Sequence, residues 1–172
     1  MIYTKNKIEK AINDGNIVID PFEPKNLGTN SYDLTLSLYY KVYENKTLVL
    51  GEPNSSKIFI MPPQGIILDP GVIYLLSTVE NITTKNCVGT LHGRSSAARL
   101  GIDVVTSGGI GDIGFSGNWT MACSVTQPVR ILPFSKIAHI MFHSVDGEIN
   151  LLYGERESSK YQNSNGAQEY IH

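Results

Sequence analysis

Between Gly93 and Gly101 the chain reads Gly-Arg-Ser-Ser-Ala-Ala-Arg-Leu-Gly, with a guanidinium near each end and two adjacent hydroxyls between them. A planar Arg fork matches phosphate oxygens in pairs, and Ser hydroxyls with backbone N–H groups complete an anion cradle. The same residue types after a strand also make an ordinary solvated turn, so the run decides nothing alone. Eighteen positions after Arg94 comes Asp112, inside a Gly-rich segment; ten beyond it lies Ala122, in Trp119-Thr120-Met121-Ala122-Cys123. A carboxylate can accept a hydrogen bond or a proton. The methyl group at 122 can do neither.

The elements that must position these residues read mostly as short strands. Thr4 to Ile12 is expected to form an amphipathic helix, capped by Thr4, with Ile8, Ala11 and Ile12 on one face and Gly15 at its end. Ile17–Ile19, Tyr32–Leu36 and a hairpin over Tyr39–Val49, tipped by Glu44-Asn45-Lys46, follow as strand signals. Further strands are expected over Ile58–Met61, Ile66–Leu68, Val72–Val79 and Cys87–His92. Beyond the Arg-Ser run come Val104–Thr106, Trp119–Thr126, Val129–Leu132 and Ile137–His143. Pro62-Pro63, Asp69-Pro70-Gly71 and Pro133-Phe134 punctuate them as turns. Many short strands without βα alternation predict an all-β sandwich, barrel or jelly roll in one domain over residues 1–172. From Glu155 onward the tail is polar with few apolar anchors, and it reads either as a frayed end or as a segment that closes over a ligand.

Composition narrows the partners. Hydrophobic residues at 41% and charged residues at 17% fit a packed globular protein and exclude a disordered chain. A net charge of −2 gives no basic footprint, so no nucleic acid partner is expected. No apolar run approaches the roughly twenty residues of a membrane helix, and the first residues lack the apolar stretch of a secretory leader. A cytoplasmic location and no membrane partner are therefore expected. Cys87 and Cys123 match no disulfide framework or C-x-x-C spacing and read as buried apolar thiols.

Four motifs in order resemble the dCTP deaminase/dUTPase superfamily, and its dCTP deaminase branch most closely. They are Ile17-Val18-Ile19-Asp20-Pro21-Phe22 with Asn30 to Leu36, Gly93 to Gly101, Asp112-Ile113-Gly114-Phe115-Ser116-Gly117, and Ser159-Lys160-Tyr161-Gln162-Asn163. The resemblance implies a distorted jelly roll that assembles as a homotrimer with shared active sites, binding dCTP, dUTP or dTTP. It implies a nucleotide-binding set of Arg94, Ser95, Ser96, Ala97, Ala98, Arg99, Asp112, Thr120, Met121, Ala122, Tyr153, Lys160 and Ser164. In that set Arg94, Ser95 and Ser96 contact the triphosphate, and Asp112 accepts the deoxyribose 3′-hydroxyl. Backbone groups at Thr120 and Met121 read the pyrimidine edge, while Tyr153 and Lys160 reach the phosphates from a C-terminal segment, residues 155–172. The family glutamine four residues after that lysine is Ser164 here, with Gln162 or Asn163 as substitutes. Magnesium would arrive on the triphosphate, with no metal held by the protein.

Deaminating cytosine requires a group that takes a proton from water and returns it to the base. Zinc deaminases use a metal hydroxide with H-x-E and C-x-x-C motifs; here His92, His139, His143 and His172 are scattered and no Cys pair lies near them, so no zinc is expected. The dCTP deaminases use a glutamate held by an arginine. Arg99 matches the arginine, but Ala122 stands at the glutamate position. Three readings follow: a deaminase whose glutamate has been replaced, a dUTPase that needs only Asp112 to orient water, or a nucleotide-binding regulator without catalysis. On the first, the chain deaminates dCTP negligibly. The approach to Asp112, Ser107-Gly108-Gly109-Ile110-Gly111, resembles the small-residue pattern of bifunctional members that go on to dUMP and pyrophosphate. The glycines could equally serve a tight turn, and Gly111 replaces the usual Ile.

Overall fold

A computed structural model describes residues 1–104 and 108–171. Val105, Thr106 and Ser107 lie outside the described residues, and with them most of the strand expected over Val104–Thr106 and the first residue of the Gly-rich approach; so does His172. Helix α1 (Lys5–Asn13) opens the chain, with Ile8 and Ala11 buried and Gly15 at φ 71° just beyond its end. Thr4 occupies the N-cap position, but its side chain makes no capping hydrogen bond. The rest is dominated by strands. They are β1 (Ile17–Asp20), β2 (Tyr32–Leu34), β3 (Leu36–Tyr43), β4 (Ser56–Ile60), β5 (Ile66–Leu68), β6 (Tyr74–Thr84), β7 (Cys87–Gly93), β8 (Ile102–Asp103), β9 (Ile110–Gly111), β10 (Ser116–Val125), β11 (Val129–Ile131) and β12 (Ala138–Ser144). A single helical turn, α2 (Ser95–Ala98), follows β7 where the sequence suggested a turn.

Two main sheets enclose the core. One runs β4-β3-β6-β10-β8 with β1 also on β6, the other β2-β12-β7-β9, and β11-β5 forms a small ribbon. Tyr32, Leu34, Leu76, Ile82, Met121, Ile140 and Phe142 are all buried between them, which removes enough apolar surface from water to drive assembly of the sheets. Alternation along β10 explains its two faces: Met121 and Cys123 turn into the core while Thr120 and Ala122 remain partly open. Burial pushes the Cys87 thiol up to about 11 and the Cys123 thiol up to about 12, as expected of apolar thiols. The hairpin expected over Tyr39–Val49 is not formed. β3 instead pairs with β4, from Tyr39↔Ile60 to Tyr43↔Ser56; in the turn-rich segment between them the Asn54 side chain takes both the N–H and the carbonyl of Val49, the groups a returning strand would have used.

The long β6–β10 ladder is broken once, and the break matters for the site. Asn118 pairs with Asn81 but Thr120 pairs with Ser77, so β6 bulges over Thr78–Glu80. Side chains satisfy the groups that the ladder leaves: Thr78 Oγ1 accepts the Trp119 N–H at 2.9 Å, and Asn118 Nδ2 donates to the carbonyls of Val79 and Glu80. Glu80 is buried, and both its carboxylate oxygens accept the Thr35 N–H. The Trp119 indole lies against β9 at Gly111.

Candidate active site

A cavity of about 370 Å³ opens beside the middle of β10, of a size suited to a small-molecule ligand. Its wall contains Asp112, Thr120, Ala122, Tyr153 and Ser164, which the sequence singled out, together with Gly108 and Gly111. The floor is aromatic. Phe115 meets Trp119 edge-on at 5.7 Å and Tyr153 at 5.8 Å between ring centroids. Gly111 is required by this floor, since a Cβ there would fall 2.4 Å from the indole of Trp119; that explains why the larger Ile is absent. The indole N–H is buried with no partner among the described residues. Asp112 follows directly on β9, with its carboxylate 3.3 Å from Arg156. From Trp119 to Cys123 the edge of β10 away from β6 has no partner strand among the described residues, leaving backbone groups at Thr120 and Met121 available. Met121 itself buries its side chain in the core.

The C-terminal segment lies along this edge. Asn163 N–H donates to Ser116 O, Asn118 N–H to Ser164 O, Gly166 N–H to Asn118 Oδ1 and Gln168 N–H to Thr120 Oγ1. Gly117, at φ 149°, is needed here, because a Cβ would stand 2.4 Å from Ser164 Oγ. Gln162, proposed as a substitute nucleotide ligand, is engaged structurally: it accepts from Ser116 N–H and donates to Gly114 O. Farther on, Glu169 pairs with Lys41 and Tyr170 N–H donates to Tyr43. A partly exposed ion pair contributes at most about 1 kcal/mol, whereas several backbone hydrogen bonds at roughly 0.5–1.5 kcal/mol each outweigh it. The segment is therefore held mainly by its backbone. The Lys41 ammonium keeps the Glu169 carboxyl below its ordinary range.

Other expected site residues are elsewhere. Within one chain, Arg94, Ser95, Ser96, Ala97, Ala98 and Arg99 do not line the cavity. They form α2 and its two flanking caps at the end of β7: Arg94 pairs with Asp33 at 3.5 Å, Arg99 Nη1 donates to the Ser95 carbonyl, Ala97 is buried, and Ser95, Ser96 and Arg99 are exposed. Lys160 donates to the Ile171 carbonyl at 2.9 Å. Trp119, Phe115, Asn118, Gln168, Glu169 and Tyr170 line the cavity without having been anticipated; their signal was the concentration of aromatic and amide side chains around motifs already noted. Among the described residues, no group of three or more His, Cys, Asp or Glu side chains could hold a metal ion, and no helix is long and apolar enough to cross a membrane.

Two facing β-sheets with a ligand-sized cavity at the open edge of a central strand make an all-β, jelly-roll-like fold. The crystal structure of 2′-deoxycytidine 5′-triphosphate deaminase from Agrobacterium tumefaciens shares it, with a TM-score of 0.66 and 17% identity over 87% of this chain and 50% of that one. The dCTP deaminase-like family profile matches residues 2–145, and the chain belongs to that family. A relative in Clostridium botulinum called "dCTP deaminase, dUMP-forming" is 42% identical over 168 residues, 98% of this chain and 94% of the relative. One of the same name in Leptospira biflexa is 40% identical over the same shares.

Proposed function

We propose that this chain is a dUMP-forming pyrimidine deoxynucleotide hydrolase, taking dCTP and dUTP as magnesium complexes, with deamination slowed by Ala122. The observation carrying this reading is that Asp112 and Ala122 line one cavity with Thr120, Tyr153 and Ser164. In this reading the open edge of β10 pairs with the pyrimidine. Asp112 binds the 3′-hydroxyl and orients water, while Gly108 and Gly111 leave room for that water. Magnesium rides on the triphosphate and screens its charge. The names of the relatives support the dUMP product. Incubation with magnesium and dUTP is expected to yield dUMP and pyrophosphate on ion-exchange chromatography; nucleotide that binds but is not cleaved would leave a binding protein.

The exposed α2 then serves the cavity of a neighbouring copy, completing a homotrimer with shared sites. Exposed apolar side chains, among them Ile58, Ile60, Ile67, Leu132 and Phe134, support such contacts. Light scattering is expected to give about three times the 18.9 kDa chain mass; a monomer at micromolar concentration would contradict it.

The C-terminal segment, residues 155–172, closes over the bound triphosphate in this reading, with Lys160 released from Ile171 to reach a phosphate. Lys160→Ala is expected to weaken dCTP binding roughly ten- to hundredfold, the worth of a charge-assisted hydrogen bond. Because Lys160 is exposed, the thermal midpoint of the ligand-free protein should hardly move. Calorimetry checks this: an unchanged Kd removes Lys160 from the phosphate site.

A further inference from the structure

The register of three adjacent strands brings a second carboxylate into the cavity that Ala122 lines. Ala122 pairs with Leu75 across β10–β6, and Leu75 pairs with Lys41 across β6–β3. Directly opposed residues share a sheet face, and two strand spacings separate Lys41 from Ala122 by roughly 10 Å. The C-terminal segment crosses this interval. It is anchored over β10 where Gln168 N–H meets Thr120 Oγ1 at 2.9 Å, two residues from Ala122 on the same face, and over β3 where Glu169 meets Lys41. Glu169 accordingly lines the cavity together with Ala122 and Leu75. The only other carboxylate among the described lining residues is Asp112, which follows β9, pairs with Arg156 and, in the proposed function, serves the sugar and the attacking water.

The geometry points to Glu169 as the proton-transfer group for deamination in this chain, with Lys41 holding its carboxylate as an arginine holds the family glutamate. This deepens the proposed function and rests on dCTP entering the cavity base-first toward Ala122. In the step, the oxygen of water bonds to C4 of cytosine while Glu169 takes one of its protons. The C4–N3 π pair moves to N3, and Glu169 delivers that proton there. Glu169 then takes the remaining hydroxyl proton and passes it to the exocyclic amine. The C4–N bond breaks with its electron pair on nitrogen, ammonia leaves, and the C4 carbonyl forms. Water supplies both protons, the carboxylate is regenerated, and dCTP becomes dUTP. Because Glu169 sits on a docked segment rather than on a strand, it is held less rigidly than a residue at 122, so the step is slow but real.

Ammonia release from magnesium–dCTP and dUMP formation from magnesium–dUTP, measured on the full chain and three variants, decide the matter. The unaltered protein should release ammonia above the uncatalysed rate, and Glu169→Gln should lower that release about 10²-fold relative to its own dUTP cleavage. In the double variant Ala122→Glu/Glu169→Gln, deamination should return to the rate of Ala122→Glu alone, a rescue that a merely structural clasp would not allow. No ammonia from the unaltered protein, equal release by Glu169→Gln, or a double variant as slow as Glu169→Gln each overturns the inference. Ammonia release without any dUTP cleavage supports it and overturns the hydrolase reading instead.

Discussion

Ala122→Glu is expected to raise ammonia release from dCTP by at least about 10²-fold, and up to about 10⁴-fold, the range that a well-placed general base contributes. The site has room for the change. Ala122 is partly open on the cavity side of β10, its neighbours Met121 and Cys123 carry the core packing, and its β6 partner Leu75 already lines the same cavity. The new carboxylate would stand on a paired strand, so its position would be set by the ladder rather than by a docked tail. Coupled detection of ammonia, together with the thermal midpoint, measures the effect. If the variant folds and binds dCTP yet releases no more ammonia than the parent, position 122 is not the proton-transfer position; if neither form releases ammonia, the dUTPase reading takes over.

Asp112→Asn should reduce dUTP cleavage by roughly 10²–10⁴-fold, because an amide neither removes a proton from water nor holds a hydroxyl as a charged acceptor. Little else should change. The Asp112 side chain is exposed and, among the described residues, its one ion pair is with Arg156 at 3.3 Å, an interaction worth at most about 1 kcal/mol at such exposure. A thermal midpoint close to that of the parent, with dUMP formation lost, is therefore the expected pair of results. Retention of dUMP formation at the parental rate would show that another group orients the attacking water.

Local chemistry made much of this protein legible from its residues. Short β-branched runs between Pro and Gly turns marked most strands to within a few positions, since pleat alternation and turn propensity act over neighbours. The motifs around Arg94, Asp112 and Lys160, and the odd residue at 122, marked the family in the same way. What joined them was decided elsewhere. That β3 returns through β4 rather than through Lys46–Val49, that β6 bulges at Thr78–Glu80, and that Trp119 fills the space above Gly111 all depend on partners distant in sequence. The tail looked like a polar end because nothing in it buries a core; its order comes from backbone groups meeting the free edge of β10, and backbone groups carry no sequence signature. Strand register set Lys41, Leu75 and Ala122 in one row and brought Glu169 over it. Register is a long-range property, fixed only when two sheets bury their faces together; residue type and spacing named the motifs, and only the assembled sheets brought the Glu169 carboxylate into the cavity that Ala122 lines.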